Sequence, residues 1–138
     1  MFQFNGWAIL RVDDSDDPDS SELTRREDEA QARHEAAVHS FSDGVSVLEV
    51  RTAGNDLRCL ITHGLSNHRT SSVLDLYQWV ADQFPCAYGL LYVWDDEDDS
   101  PTRGDNTNCF RVWKLACGVL TEEADALLSP CMPVIERP

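Results

Sequence analysis

The chain has 138 residues, which is one domain's worth. Eleven Lys and Arg stand against 25 Asp and Glu, giving a formal net charge of −14, and 42% of the residues are apolar, near the ordinary globular share of about 45–50%. Such a fraction supports a core and excludes wholesale disorder; the charge excludes bulk electrostatic binding to nucleic acid or to an anionic membrane, which needs Lys and Arg, and leaves a basic protein partner allowed.

Residues 2–12 mix aromatic and β-branched side chains and predict a strand, with an irregularity at Gly6. The run from Asp13 to Asp19 repels itself, so residues 13–21 are expected to form an acidic mobile loop. Asp19-Ser20-Ser21-Glu22 has capping-box spacing, and a helix is expected to about Phe41. Leu23, Ala30, Ala37 and Phe41 recur on one face, with His34 and Val38 beside them. That face is thin and alanine-rich, which suits a helix lying on a sheet.

Gly44 is a break. Val45, Val47, Glu49 and Arg51 alternate with Ser46, Leu48 and Val50, Gly54-Asn55-Asp56 is turn chemistry, and Leu57 to His63 is a second arm. Residues 45–63 therefore read as an antiparallel hairpin. Gly64 to Arg69 reads as a polar loop. Ser71 to Phe84 reads as a helix with Val73, Leu76, Tyr77, Val80 and Phe84 on one face, ended by Pro85. Tyr88 to Trp94 is apolar throughout and predicts a central strand buried on both faces. Asp95 to Asp99 stops it, and 99–108 is a Pro/Gly/Asn/Asp-rich variable loop. Phe110, Val112 and Lys114 alternate with Arg111, Trp113 and Leu115 in a last strand. The tail from Gly118 is expected to be irregular, because Pro130 and Pro133 limit pairing.

The reading is α+β: one domain over 1–138, with a mostly antiparallel five-stranded sheet and two helices on one face, in the order βαββαββ. The first six elements follow the split βαβ order. Cys59, Cys86, Cys109, Cys117 and Cys131 are odd in number and form no Cys-x-x-Cys, so they read as reduced thiols. With no leader of signal-peptide kind and no apolar run of membrane length, the expected compartment is the cytoplasm.

Catalytic motifs are missing: there is no Gly-x-Ser-x-Gly elbow and no Gly-rich phosphate loop. His63 and His68 flank Gly-Leu-Ser-Asn, but a metal would need a third ligand and a more regular spacing, so a loop-bracing role is preferred. Calcium lacks its EF-hand spacing at 95–99. No enzyme activity, cofactor or metal is expected. What stands out is the acid. Asp13, Asp14, Asp16, Asp17, Asp19 and Glu22, together with Asp95, Asp96, Glu97, Asp98 and Asp99, leave 14 carboxylates against 11 bases elsewhere. The fold itself is nearly neutral, and its charge sits in two segments. A buried strand running straight into 95–99 presents those groups from a rigid base, which costs little ordering entropy on binding a cationic surface. Trp94 and Trp113 lie in the strands on either side, as core residues first and interface anchors second.

Several pieces then resemble the immunity protein 7 family of bacterial polymorphic toxin systems. They are Phe4-Asn5-Gly6-Trp7, Gly64-Leu65-Ser66-Asn67-His68-Arg69, the run from Tyr88 to Asp98, Phe110-Arg111-Val112-Trp113, Gly118-x-Leu120, and the closing Leu128 to Glu136. The acidic insert at 13–19, the 99–108 loop and the ending Glu136-Arg137-Pro138 depart from the pattern. The resemblance implies an immunity protein that binds and neutralises a cognate toxin domain. The residues add an expectation: Asp95, Asp96, Glu97, Asp98 and Asp99, with Asn67, His68, Arg69 and Trp94, contact a basic toxin such as a nuclease. The rival readings are a small enzyme that reverses the toxin's modification through His63 or His68, and an acidic scaffold or regulatory module.

Overall fold

In a computed structural model, the described residues are 1–12, 21–42, 44–52, 54 and 57–127. Alternation makes the first strand, β1 (Phe2–Leu10): Phe2, Phe4, Ala8 and Leu10 are buried while Asn5 and Trp7 are exposed. After the helix α1 (Ser21–Phe41) come β2 (Val47–Thr52) and β3 (Arg58–Ser66), the expected hairpin. The helix α2 (Ser72–Gln83) leads to β4 (Tyr88–Asp95). A small two-stranded hairpin, β5 (Asp99–Ser100) with β6 (Gly104–Asp105), follows. The chain then forms β7 (Phe110–Ala116) and β8 (Val119–Ala124).

Six strands make the main sheet, in the order β2-β3-β1-β4-β7-β8, with every neighbouring pair antiparallel. The first four strands have the arrangement of a split βαβ unit, β1 lying between β3 and β4. The expected five-stranded sheet and the order βαββαββ are corrected: β8 is a sixth strand, and the β5–β6 hairpin is an additional element. The cause of the first error is local. Cys117 and Gly118 have φ of 50° and 71° and alone separate Ala116 from its partner Val119. Two consecutive residues at positive φ make the tight turn that matches strand twist. The usual Asn-Gly signal is replaced by Cys-Gly, and both prolines fall beyond the strand.

Three further expectations shift. The polar loop expected at 64–69 is shorter, because Gly64, Leu65 and Ser66 continue β3 and pair with Phe4, Gln3 and Phe2. A side chain at Gly64 would collide with the Phe4 ring, so glycine lets the strand run on there. The irregularity expected at Gly6 is absent, since β1 keeps unbroken register with β3 and β4. Finally, β4 is central but not buried on both faces: Leu91 and Val93 are buried, Leu90 and Tyr92 only half-buried, and Tyr88 exposed. The acidic run up to residue 20, the capping-box start, Cys131 and the closing motif from Leu128 lie outside the described residues.

Both helices cover the same face. Tyr77 of α2 is fully buried, and its hydroxyl shares a hydrogen bond with Thr62 of β3 at 3.2 Å. A Cβ at Gly6 would stand 2.5 Å from that hydroxyl and 2.7 Å from the Leu90 carbonyl oxygen. Gly6 is thus the notch that lets α2 approach the sheet. Burial pushes the Tyr77 phenol well above its ordinary range. On α1 the buried line is Ala30, His34 and Val38, with Ala37 and Phe41 half-buried. Cys59, Cys86, Cys109 and Cys117 are free thiols. No helix among the described residues is long and apolar enough to cross a membrane.

His34 is the unusual core residue. It has no exposed surface, stacks on Trp79 at 5.8 Å and meets Phe84 edge-on at 5.8 Å. Neither ring nitrogen has a hydrogen-bond partner among the described residues. Burial lowers its pKa from 6.5 to about 4, with Glu35 opposing and Arg58 assisting. The folded state therefore binds the proton more weakly than the unfolded chain. Stability from this group is complete above pH 6.5 and is lost as pH falls toward about 4. The loss amounts to roughly 3 kcal/mol over that window. Urea midpoints from pH 7 to 4.5 should fall more steeply for the native chain than for His34→Leu; identical slopes would show that the histidine is not held neutral.

Candidate functional site

The sequence-predicted residues gather where β4 ends. Trp94 is buried next to the end of that strand, and its indole Nε1 donates to the Thr107 carbonyl at 3.0 Å. Asp95 pairs in register with Phe2 and is 5% exposed. Its Oδ1 accepts the Glu97 backbone N–H at 3.1 Å, and its Oδ2 faces Arg69 Nη1 at 3.4 Å. The Asp96 N–H donates to the Met1 carbonyl at 3.0 Å, and its carboxylate pairs with the Met1 amino group. Glu97 meets His68 Nδ1 at 3.1 Å. Asp98 is 8% exposed, ion-pairs with Arg103, and accepts the Asn106 N–H on its backbone carbonyl at 2.9 Å. Asp99 opens β5 opposite Asp105.

The arrangement brings His68 and Arg69 onto the acidic loop, as their position before α2 allows. Asn67 is exposed in the same connection and makes no hydrogen bond to the acidic loop among the described residues. The five carboxylates do not form one exposed polyanion. Asp95 and Asp98 are buried and spent on holding the loop, and they would be costly to leave unpaired. Asp96, Glu97 and Asp99 are the exposed members. Asp105 joins them on the surface: its Oδ1 accepts both the hydroxyl and the N–H of Thr107, at 2.6 and 3.0 Å, and these bonds lower its pKa.

Sequence reasoning missed the charges that brace this edge. Arg103 spans Asp98 and Glu122, the latter at 3.3 Å, and Arg111 Nε meets the same Glu122 at 2.9 Å. Asp98, Arg103, Glu122 and Arg111 therefore form an alternating chain across β7 and β8 (Arg111 and Glu122 share a face of that pair). The signal was hidden because Glu122 lay in a tail read as irregular. His63 and His68 are not gathered into one site. His63 lies exposed on β3 opposite Asn5 and Val47, while His68 turns to Glu97. Among the described residues, no group of three His, Cys, Asp or Glu is placed to hold a metal ion.

A second surface was also missed. On the face of the sheet away from the helices, Trp7 pairs with Ile61 and Leu90, and Ile9 pairs with Tyr88. Trp7 and Tyr88 touch edge-on at 6.1 Å. The two rings are 41% and 43% exposed. Period-two alternation in β1 carries this signal, with Trp7 and Ile9 on the face opposite the buried Phe4, Ala8 and Leu10.

The sequence model of immunity protein 7 matches residues 1–137. The chain belongs to the immunity protein 7 family. No curated protein and no solved structure matches it. The family match runs across the acidic edge, the brace and the open sheet face alike, so membership by itself selects none of them as a contact surface.

The brace can be measured apart from any partner. Arg103→Met leaves the buried Asp98 carboxylate without its cation and should lower stability by about 2 kcal/mol in urea. Asp99→Asn, at an exposed group, should change it by less than about 0.5 kcal/mol. Equal effects from both would remove Arg103 from the role given to it.

Proposed function

We propose that the chain neutralises a cognate bacterial toxin by binding the toxin domain stoichiometrically, in the producing cell or its kin. The observation that carries this is the family match over residues 1–137. In this reading the chain works by occupancy, without turnover, cofactor or metal, and in the cytoplasm. The toxin is a basic domain such as a nuclease, and the acidic edge stands where phosphates would otherwise go.

Within that edge the residues divide by role. Asp96, Glu97 and Asp99 offer charge to the partner, while Asn67 and His68 supply polar contacts from the adjoining connection. Asp95, Asp98, Arg69 and Trp94 hold the edge in place. A loop already fixed by Asp95 and Asp98 loses little freedom on binding, so its charges act mainly on encounter rate and orientation.

Co-expression with the toxin domain encoded beside this chain should restore growth, and the two should co-purify at one to one. Protection without a stoichiometric complex would sink the inhibitor reading and favour an enzyme. His63→Ala and His68→Ala should both retain protection, since neither acts as a catalyst. Joint neutralisation in Asp96→Asn, Glu97→Gln and Asp99→Asn should slow association about tenfold at low salt. The difference should shrink as salt rises, because exposed charges are screened beyond a Debye length of about 8 Å at physiological ionic strength. A rate insensitive to salt and to these changes would show that the edge is not used.

A further inference from the structure

We infer that the helix-free face of the six-stranded sheet, centred on Trp7 and Tyr88, is the surface on which the toxin domain docks, with the acidic edge forming its margin. The inference rests on the proposed function and adds the place of contact.

Every strand of the sheet contributes side chains to this face, and neither helix covers it. Antiparallel register places Trp7 beside Ile61 and Leu90, and Gln3 beside Leu65. Ile61 and Leu65 are 36% and 53% exposed. Trp and Tyr are the residues that most often anchor interfaces, because each buries a large apolar area while losing few rotamers. Here the edge-on contact at 6.1 Å already orders both rings, so binding costs less freedom than for two independent side chains.

Charge on the face is arranged to leave its centre neutral. Glu49 pairs with Arg51 at 2.7 Å on β2, and Lys114 pairs with Glu123 at 2.7 Å across β7 and β8. These pairs lie toward the two sides, and the middle strands carry the aromatic and aliphatic groups together with the polar Gln3, Asn5 and His63. Strands about 4.8 Å apart and some seven residues long give a face near 25 Å by 20 Å. Its projected area of about 500 Å² is short of the roughly 800 Å² that one side of a standard protein interface needs, so the partner must also cover the acidic margin.

The acidic edge borders this face rather than standing apart from it. Trp94 has the same strand parity as Tyr88, Leu90 and Tyr92, and its indole is bonded to the Thr107 carbonyl at 3.0 Å. The connection carrying Asp99 and Asp105 thus meets one end of the open face at Trp94. An apolar centre with an acidic margin fits a partner that presents an apolar patch beside a basic one. A second copy of this chain related by a two-fold along the strands would set acidic margin against acidic margin, whereas a basic partner is attracted to that margin in every arrangement, which favours the basic toxin domain as the occupant.

The test uses the full chain and the neighbouring toxin domain carrying an inactivating substitution in its own active site. Trp7→Ser, Tyr88→Ser and Ile61→Lys should each weaken binding at least about 30-fold. Arg33→Ala, on the helix side, should stay within twofold. Thermal melts establish that each variant is folded. Hydroxyl-radical footprinting of the native complex supplies a readout that needs no variant: oxidation of Trp7 and Tyr88 should fall several-fold on complex formation. If the native chain binds but the face variants bind within twofold and the footprint is unchanged, the face is not the docking surface, and the proposed function stands. If the native chain forms no complex, the proposed function itself fails. If the chain is a dimer that Trp7→Ser dissociates with toxin binding unchanged, a second copy occupies the face and the inference is overturned.

Discussion

The fold depends on how closely the second helix meets the sheet, and one contact sets that distance. Tyr77 reaches down from α2, fits over the missing side chain of Gly6, and shares a hydrogen bond with Thr62. The phenol is fully buried, so its hydroxyl must find a partner, and Thr62 is equally buried. This contact ties β1, β3 and α2 together near the middle of the sheet. Both helices are then committed to one side. One face of the sheet becomes core, and neither helix covers the other.

The same one-sidedness explains which features were legible in the sequence. The helix from Ser72 to Gln83 was readable because its apolar spacing is nearly ideal and α2 packs with that face down. The arms of the β2–β3 hairpin were readable from alternation. The fully apolar run from Tyr88 was harder to interpret. Continuous apolarity is what a strand covered on both faces needs, yet Leu90 and Tyr92 are only half-buried. Apolar residues on the second face therefore served a surface, and periodicity cannot tell a covering helix from an absent one. The β7–β8 turn escaped because Cys117 adopts a positive φ that its residue type rarely takes. The acidic cluster was visible as residues, but not the internal partners of Asp95 and Asp98. Arg69 and Arg103 approach them from separate connections, and Arg103's other carboxylate lies in a strand that the sequence did not announce.

Those partners change what the acidic loop can do. A free run of five carboxylates would repel itself and fray, offering charge but no fixed geometry. Sinking Asp95 and Asp98 into ion pairs with arginines, and turning the backbone through Asp95 Oδ1, converts the run into an ordered edge. Fewer charges then face outward, but each has a defined position. The cost is that part of the cluster can no longer be altered without loss of structure. Changes at Asp95 and Asp98 therefore probe folding first, whereas the exposed Asp96, Glu97 and Asp99 can be altered at less structural cost.

A net charge of −14 and an uncharged sheet centre are complementary rather than contradictory. Charge acts over a Debye length and governs how often, and in what orientation, a basic partner arrives. It contributes less once the surfaces touch, because desolvation of each ion offsets much of the attraction. Short-range attachment needs the opposite: large apolar groups whose burial releases water and whose positions are fixed beforehand. The two requirements conflict if they fall on the same atoms, since a carboxylate amid the aromatic patch would have to be desolvated with it. The fold separates them by placing the exposed acids on connections at the end of the sheet and the rings of Trp7 and Tyr88 on its middle strands. Trp94, anchored to Thr107, is where the two regions meet.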